Sequence, residues 1–537
     1  MPSRLLPSAD PSSRDRLSFG LEFEFLLCHS HSAPIADPIE HVKAILRRIP
    51  VKLQDEPVPH DLADPFPTLQ LFPHDGWAVV ADQTVEDDEL APPRGFACHN
   101  QGVEITTPAL WDGPEALEHV GAVLRELQRH LRMRVNITSG LHCHVGAGSE
   151  KFVTNDGSLR IRPRSFSPAV LRNAAALLWA ADGFLCHAHP PERGLSKHTA
   201  TIRAWSKLSR GHLVTDTESK PLPNSSKSPP PRRRHSSRKT FPARRPSTID
   251  SSAAARFHTL ADNRALRPAP AGSVRTESAM LGARQIMACR TTTDVARLLS
   301  EEGVLWAHRL NYNFAAYTRD DDTAGCVKSK TAHSSSSSTR TVEFREAAGS
   351  VCPVWVPAWA DICLGIFRFA ATETEETVWA VVERLEAAEE EARRGGPGGG
   401  GGGGGGYDMV SFLEDIGVSG SAAVLERRLS RDPLAAWYPC RIGAGGDDGK
   451  PFFVGGGGEE GEEGCLVGAV VPAVEDSGAK GEGVAGMVCC AVVEDRKEME
   501  HGHHAETAGR WLDEISARFL AAFDRGRGAG WPFWVSS

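Results

Sequence analysis

The residues best placed to do chemistry in this chain are carboxylates and imidazoles spaced two apart. In Phe19–Phe25, FGLEFEF, Glu22 and Glu24 alternate with Phe19, Leu21, Phe23 and Phe25. Read as a strand, this sends the apolar side chains to one face and both carboxylates to the other, about 7 Å apart at a rise of roughly 3.3 Å per residue. Like charges on one face repel, and burying them is costly unless something positive lies between them. A solvated acidic edge strand is one use of such a pattern. The floor of a cation site is the other.

Three further stretches share this alternation. In Thr138–Gly146, TSGLHCHVG, His142 and His144 share a face while Leu141, Cys143 and Val145 point the other way. Imidazoles at that spacing serve as metal ligands or as contacts to anionic oxygens. In Gly102–Thr107, GVEITT, Glu104 lies opposite Val103 and Ile105. In Arg340–Arg345, RTVEFR, Glu343 and Arg345 share a face opposite Val342 and Phe344. On an exposed strand they would form a surface ion pair, whereas on a buried strand such a pair points at a ligand or another charge. Four short strands with polar groups on one face predict an α+β fold. Its curved antiparallel sheet would line an active-site cleft, with helices packed on the outer face. The excess of carboxylate suits Mg²⁺ or Mn²⁺ and disfavours a structural zinc site. Two such cations would neutralise the glutamates and bridge nucleotide phosphates, an arrangement that stabilises phosphoryl transfer.

The elements that must position these residues follow from hydrophobic periodicity. Strands are expected at Phe19–Leu27, His74–Val85, Gly102–Thr107 and Arg134–Gly146, the last broken by a turn at Ser139–Gly140. Trp306–Tyr317 and Thr339–Glu346 read as a further strand pair. Helices are expected at Pro38–Arg48, Pro114–Leu131, Pro168–Phe184, Thr293–Leu299, Pro357–Ala371 and Glu373–Ala392. Between Asn224 and Pro246 the chain is rich in Ser, Pro and Arg, has no acidic residue and shows no hydrophobic period, as expected of a disordered basic insertion. Gly395–Gly406 is a glycine tract with no GK[ST] after it, so it reads as a linker and not a phosphate loop.

The chain has 537 residues, a formal net charge of −9 and 12 cysteines, none in a CxxC pair. With a pI near 6.2 this charge gives no general argument for nucleic acid or membrane as a partner. The first residues, MPSRLLPSADPSSRDR, hold no apolar core of a secretory signal. No run reaches the roughly 18 uninterrupted apolar residues of a membrane span. A cytoplasmic protein is therefore expected. The expected organisation is a disordered N-terminus (1–17), a catalytic domain in two pieces (18–213 and 280–392), and the disordered insertion between them (214–279). A linker (393–406), a helical extension (407–442), a Gly/Glu-rich disordered segment (443–486) and a C-terminal segment with an amphipathic helix at His504–Phe523 (487–537) follow.

The order GxExEF, GVEI, SGLHCHVG, T-V-E-F-R resembles the amidoligase family, within the glutamine synthetase-like carboxylate–amine ligase superfamily. The resemblance extends to W-x-V-x-x-D (Trp77, Val79, Asp82), a PxR loop (Pro191, Arg193) and N-x-N (Asn311, Asn313). It covers roughly 17–213 and 280–390, and more weakly 407–440. It implies a glutamine synthetase-like catalytic domain and an ATP-dependent ligase that uses Mg²⁺ or Mn²⁺. Such an enzyme joins a small-molecule or peptide carboxylate to an amine donor through an acyl phosphate. By position, Glu22, Glu24, Glu104, His142 and Glu343 would be metal ligands, and His144 would contact the nucleotide phosphates. Arg345, with Arg193 and Arg309, would stabilise phosphoryl charge or hold the substrate carboxylate. The second glutamate of the superfamily's middle strand has no counterpart after Glu104. Two other readings stand beside this one: a metal-dependent hydrolase using the His142/His144 pair, and a degenerate ligase fold acting as a binding protein. Neither substrate identity nor oligomeric state follows from the sequence.

Overall fold

Strand β1 (Ser18–Ser30) is the centre of the sheet. Phe19, Leu21, Phe23 and Phe25 are all buried, as the alternation requires. The other strands are β2 (Ala78–Ala81), β3 (Cys98–Thr106), β4 (Leu110–Trp111), β5 (Met133–Arg134), β6 (Gly140–Gly146), β7 (Ser149–Val153), β8 (Leu159–Pro163), β9 (Tyr312–Asn313), β10 (Thr341–Ala348) and β11 (Cys440–Arg441). In the computed structural model the described residues are 16–30, 35–49, 51–54, 69–71, 75–86, 98–136, 138–153, 159–189, 193, 198–212, 278–301, 310–318, 340–394, 407–431 and 440–441. All of them fall in one unit. Most of the N-terminal tail, the basic insertion, the glycine tract, the Gly/Glu-rich segment and the helix expected at His504–Phe523 lie outside the described residues.

The main sheet is antiparallel and runs β2–β3–β1–β6–β10–β9. β4 and β5 complete the two edges of β1, and β11 pairs with β5. β7 and β8 form a separate hairpin. The sheet is open and uncurled, which corrects the curved sheet expected from the sequence. Its longest ladder, β1 with β3, runs from Glu22↔Thr106 to Ser30↔Cys98 without a register shift. No bulge bends it there; the register shift lies instead in β10, between Phe344 and Ala347.

The helices of seven residues or more among the described residues are α1 (Pro38–Leu46), α2 (Pro114–His130), α3 (Pro168–Leu185), α4 (Ala279–Ala288), α5 (Thr292–Leu298), α6 (Trp355–Thr372), α7 (Glu375–Arg394), α8 (Met409–Asp415) and α9 (Ser419–Arg431). Several start where side chains cap the first free amides. Asp37 accepts from the Glu40 amide at 3.0 Å ahead of Pro38, and Ser167 accepts from the Val170 amide at 3.3 Å ahead of Pro168. Thr291 and Asp294 form a reciprocal capping box. α6 lies against β1 and β6, with α2 and α3 beside it. The rings of Phe166 and Phe367 stack at 4.6 Å, and Phe344 meets Phe367 edge-on at 6.2 Å. Pro168–Ala188 is long and apolar enough to cross a membrane, but most of it is buried in this core.

Several boundaries move from their expected places. The strand expected over His74–Val85 contracts to β2, and β3 begins four residues before Gly102. The expected Trp306–Tyr317 strand contracts to β9: Asn313 Oδ1 accepts from the Ala315 amide at 2.9 Å and turns the chain into a helical turn. α4 was not expected; its Gly282 sits where a Cβ would lie 2.0 Å from Trp179 Nε1. The helical extension divides into α8 and α9 at Gly417, whose φ of 85° is left-handed.

Behind β10 lies a buried polar network. Asn311 Nδ2 donates to Asp182 Oδ1 on α3 at 2.7 Å. Asn311 Oδ1 accepts from the Ile202 and Tyr312 amides at 3.0 and 3.1 Å. The Tyr312 hydroxyl donates to Glu346 Oε2 at 2.6 Å. Among the described residues, Asp182 Oδ2 and Glu346 Oε1 have no hydrogen-bond partner. Burial, with Asp182 nearby, pushes Glu346 up to about 8, and burial pushes Asp182 up to about 6. A carboxyl whose folded pKa is raised binds its proton more tightly when folded. Its contribution to stability is therefore greatest below 4.5, the ordinary value for Glu346, and is lost as pH rises toward about 8. Glu346→Gln is expected to flatten the fall in urea midpoint between those limits. At pH 8 the variant should exceed the parent in stability by on the order of 1 kcal/mol.

Candidate functional site

The solvent-side face of the sheet collects the chemistry-bearing residues through directly opposed cross-strand pairs. Glu24 on β1 faces Glu104 on β3, and Glu22 faces His142 on β6. His144 faces Glu343 on β10, and Glu343 faces Asn313 on β9. The line of polar residues thus crosses five adjacent strands, β3, β1, β6, β10 and β9. Leu141, Cys143, Val145, Val342 and Phe344 occupy the opposite face and are fully buried.

Two sets of ligand-type atoms emerge. Glu22, His144 and Glu343 place their atoms within 4.8 Å of one another, and so do Glu24, Asp82 and Glu104. His142 lies between the sets. Its Nδ1 is 2.8 Å from Glu22 Oε2 and 3.8 Å from Glu343 Oε1, and its Nε2 is 3.6 Å from Glu24 Oε1. His144 Nε2 is 3.1 Å from Glu22 Oε1. Glu24 Oε2 accepts from the Gly140 amide at 2.6 Å, which ties the Ser139–Gly140 turn to β1. Glu343 accepts from Asn313 Nδ2 at 2.9 Å and pairs with the Arg345 guanidinium. His142, Glu24 and Arg345 are buried, whereas the Glu22 and His144 side chains keep 24% and 27% of their exposure. The cluster is therefore reachable through Glu22 and His144.

The electrostatics divide along the same line. Burial opposes ionisation of Glu22, but the hydrogen bonds from His142 and His144 outweigh it and hold the carboxyl far below its usual range. Burial likewise opposes ionisation of Glu343, and the charges of His144 and Arg345 overcome it. Burial disfavours the His144 imidazolium, yet Glu22 and then Glu343 raise its pKa. Glu104 is raised, first by burial and then by the charges of Glu22, Glu24 and Asp82. Burial and crowded like charge act in the same direction there. Carboxylates outnumber imidazoles in both sets, and the one thiol on β6, Cys143, faces the core. That donor chemistry fits a hard, oxygen-preferring divalent cation such as Mg²⁺ or Mn²⁺.

Glu22, Glu24, Glu104, His142, His144, Glu343 and Arg345 are thus brought together. His144 stands with Glu22 and Glu343, and His142 stands between the two sets. Arg193 is buried, and its guanidinium donates to the main-chain carbonyls of Ser139, Arg345 and Glu346. Arg309 lies outside the described residues. Sequence reasoning assigned no ligand role to Asp82, although its parity with Val80 was visible. The missing information was that β2 borders β3, with Val80 opposite Glu104, which brings Asp82 to the second set. Thr106, which donates to Glu104 Oε1 at 3.1 Å, and Asn313 were missed as site residues for the same reason: strand adjacency is not written in either strand alone.

No protein-family profile matches the chain, and no curated protein matches it.

A Cβ at Gly140 would lie 2.8 Å from His142 Nε2 and 3.1 Å from Glu24 Oε2. Gly140→Ala is expected to displace both side chains and weaken Mn²⁺ binding by ~10-fold or more, measured by electron paramagnetic resonance, with the circular dichroism spectrum unchanged. In Glu22→Gln, His144 is expected to titrate at lower pH than in the parent, read from its imidazole proton shifts.

Proposed function

We propose that this chain is an ATP-dependent carboxylate–amine ligase with a glutamine synthetase-like catalytic domain, forming an amide through an acyl phosphate. The observation that carries the reading is the pair of carboxylate-rich sets on adjacent strands with His142 between them. Both sets draw on β1, so their spacing is fixed by one strand. The order of the motifs along the chain supports the same reading.

Glu22, His144 and Glu343 would hold one cation, and Glu24, Asp82 and Glu104 the other, with His142 shared between them. Bound there, divalent cations supply charge neutralisation for phosphate oxygens during transfer. The protein's own part is to fix the carboxylates against a rigid apolar layer and to keep Glu22 and Glu343 ionised. Arg345, held by Glu343, supplies positive charge beside the first set. The acid substrate would be a small-molecule or peptide carboxylate, and the amine its co-substrate. A hydrolase built on His142 and His144 alone is less well supported, because both imidazoles are committed to Glu22.

The test has two parts. The parent is expected to bind a fluorescent ATP analogue only with Mg²⁺ or Mn²⁺. A panel of acids and amines should then yield a pair that stimulates ADP release, with the amide seen by mass. Glu343→Ala is expected to lower that turnover on the order of 10²-fold or more with the fold retained. Metal-independent nucleotide binding, or none, would sink the ligase reading. Near-parental ADP formation in Glu343→Ala would overturn the site assignment.

A further inference from the structure

β10 pairs Phe344 with Cys143 and, after a register shift, Ala347 with Leu141. Arg345 and Glu346 therefore both stand opposite one residue, His142. This is a β-bulge, and bulged residues lose regular ladder partners for their main-chain groups. Buried carbonyls without partners are costly, so something must take them. Arg193 does. Its Nη2 donates to the Arg345 carbonyl at 3.0 Å and its Nε to the Glu346 carbonyl at 3.4 Å. Nη1 of the same guanidinium donates to the Ser139 carbonyl at 3.3 Å. Ser139 is fully buried, and its carbonyl also accepts from the Gly349 amide at 2.9 Å. One residue on, the Gly140 amide is the donor that holds Glu24.

We propose that Arg193 is a positioning residue: it locks the β10 bulge to the Ser139–Gly140 turn, and so sets Glu343 and Arg345 against Glu24 and His142. The inference rests on the metal-site reading above, but it assigns Arg193 to the backbone scaffold and not to substrate. A planar guanidinium with five fixed donors spans two carbonyls on β10 and one in the Ser139–Gly140 turn. Lysine carries its three donors on one nitrogen and cannot reproduce that planar spread.

The test compares full-length Arg193→Gln and Arg193→Lys with the parent. Hydrogen exchange is read on peptides covering 139–144 and 341–348, with peptides from α3 and α6 as internal references. Mn²⁺ alone is titrated by electron paramagnetic resonance. In Arg193→Gln both site peptides are expected to lose protection while the references keep theirs, and Mn²⁺ affinity is expected to fall by ~10-fold or more. Arg193→Lys is expected to fall between the variant and the parent on both measurements, and it carries the comparison if Arg193→Gln does not fold. Parental exchange in the site peptides overturns the proposal. So does lost protection with parental Mn²⁺ affinity, and so does loss spread equally over α3 and α6, which would assign Arg193 to general stability. If the parent itself binds no Mn²⁺, the metal reading fails on its own, and the exchange pattern alone decides whether Arg193 holds the bulge.

Discussion

Glu22, Glu24 and Glu104 crowd together on two directly paired strands because the residues between them have to face the other way. Phe19, Leu21, Phe23 and Phe25 on β1, and Val103 and Ile105 on β3, are buried in the helix-covered core. Each such side chain is worth roughly 1.5–3 kcal/mol of burial. A one-residue slip would turn every one of them to the solvent side. Repulsion between two carboxylates 4 Å apart is about 1 kcal/mol in water and about 4 kcal/mol at an effective dielectric of 20. The summed apolar burial exceeds that, so the core fixes the register and the carboxylates accept the proximity. The imidazoles of His142 and His144 relieve Glu22. Glu104 keeps a raised pKa, from its burial first and then from the imposed crowding.

The same strand treats its acids in opposite ways. Glu343 is held ionised beside Arg345 and two imidazoles, whereas Glu346, three residues on, is surrounded by Tyr312, Asn311 and Asp182 and held toward its neutral form. Burial opposes charge at both positions. The difference lies in the neighbours: cations prevail around Glu343, whereas at Glu346 burial and the charge of Asp182 outweigh the nearby Arg193. The Asn311 amide joins the acidic side to α3, so the back of the site strand is anchored by hydrogen bonds and not by packing alone.

Much of this was legible because period-two alternation states which side chains share a face. That was sufficient for Glu22 with Glu24, for His142 with His144 and for Glu343 with Arg345, and the long apolar helices were equally plain. What the alternation does not state is which strand lies beside which. Asp82, Thr106 and Asn313 enter the site only through the pairing of β2 with β3 and of β9 with β10. Nor does it state where a guanidinium points: Arg193 looked like a group for phosphate or carboxylate, and the fold gives it main-chain carbonyls. α4 was hidden for another reason. Its Gly282 weakens helix propensity where the helix approaches Trp179.

The bulge in β10 acts as a frame shift for side chains. Phe344 and Ala347 both reach the core although three positions separate them, where an unbroken strand would have set them on opposite faces. The two halves of TVEFREAA thus keep separate parities, joined at Arg345 and Glu346. Removing one residue at that junction would leave Val342 and Phe344, and also Ala347, in their present orientation. The same deletion one turn of the pleat away would invert half the strand. Length change in this strand is tolerable at the one place where it also costs a charged side chain, so sequences of this fold that lack the bulge should lack one member of the Arg345–Glu346 pair.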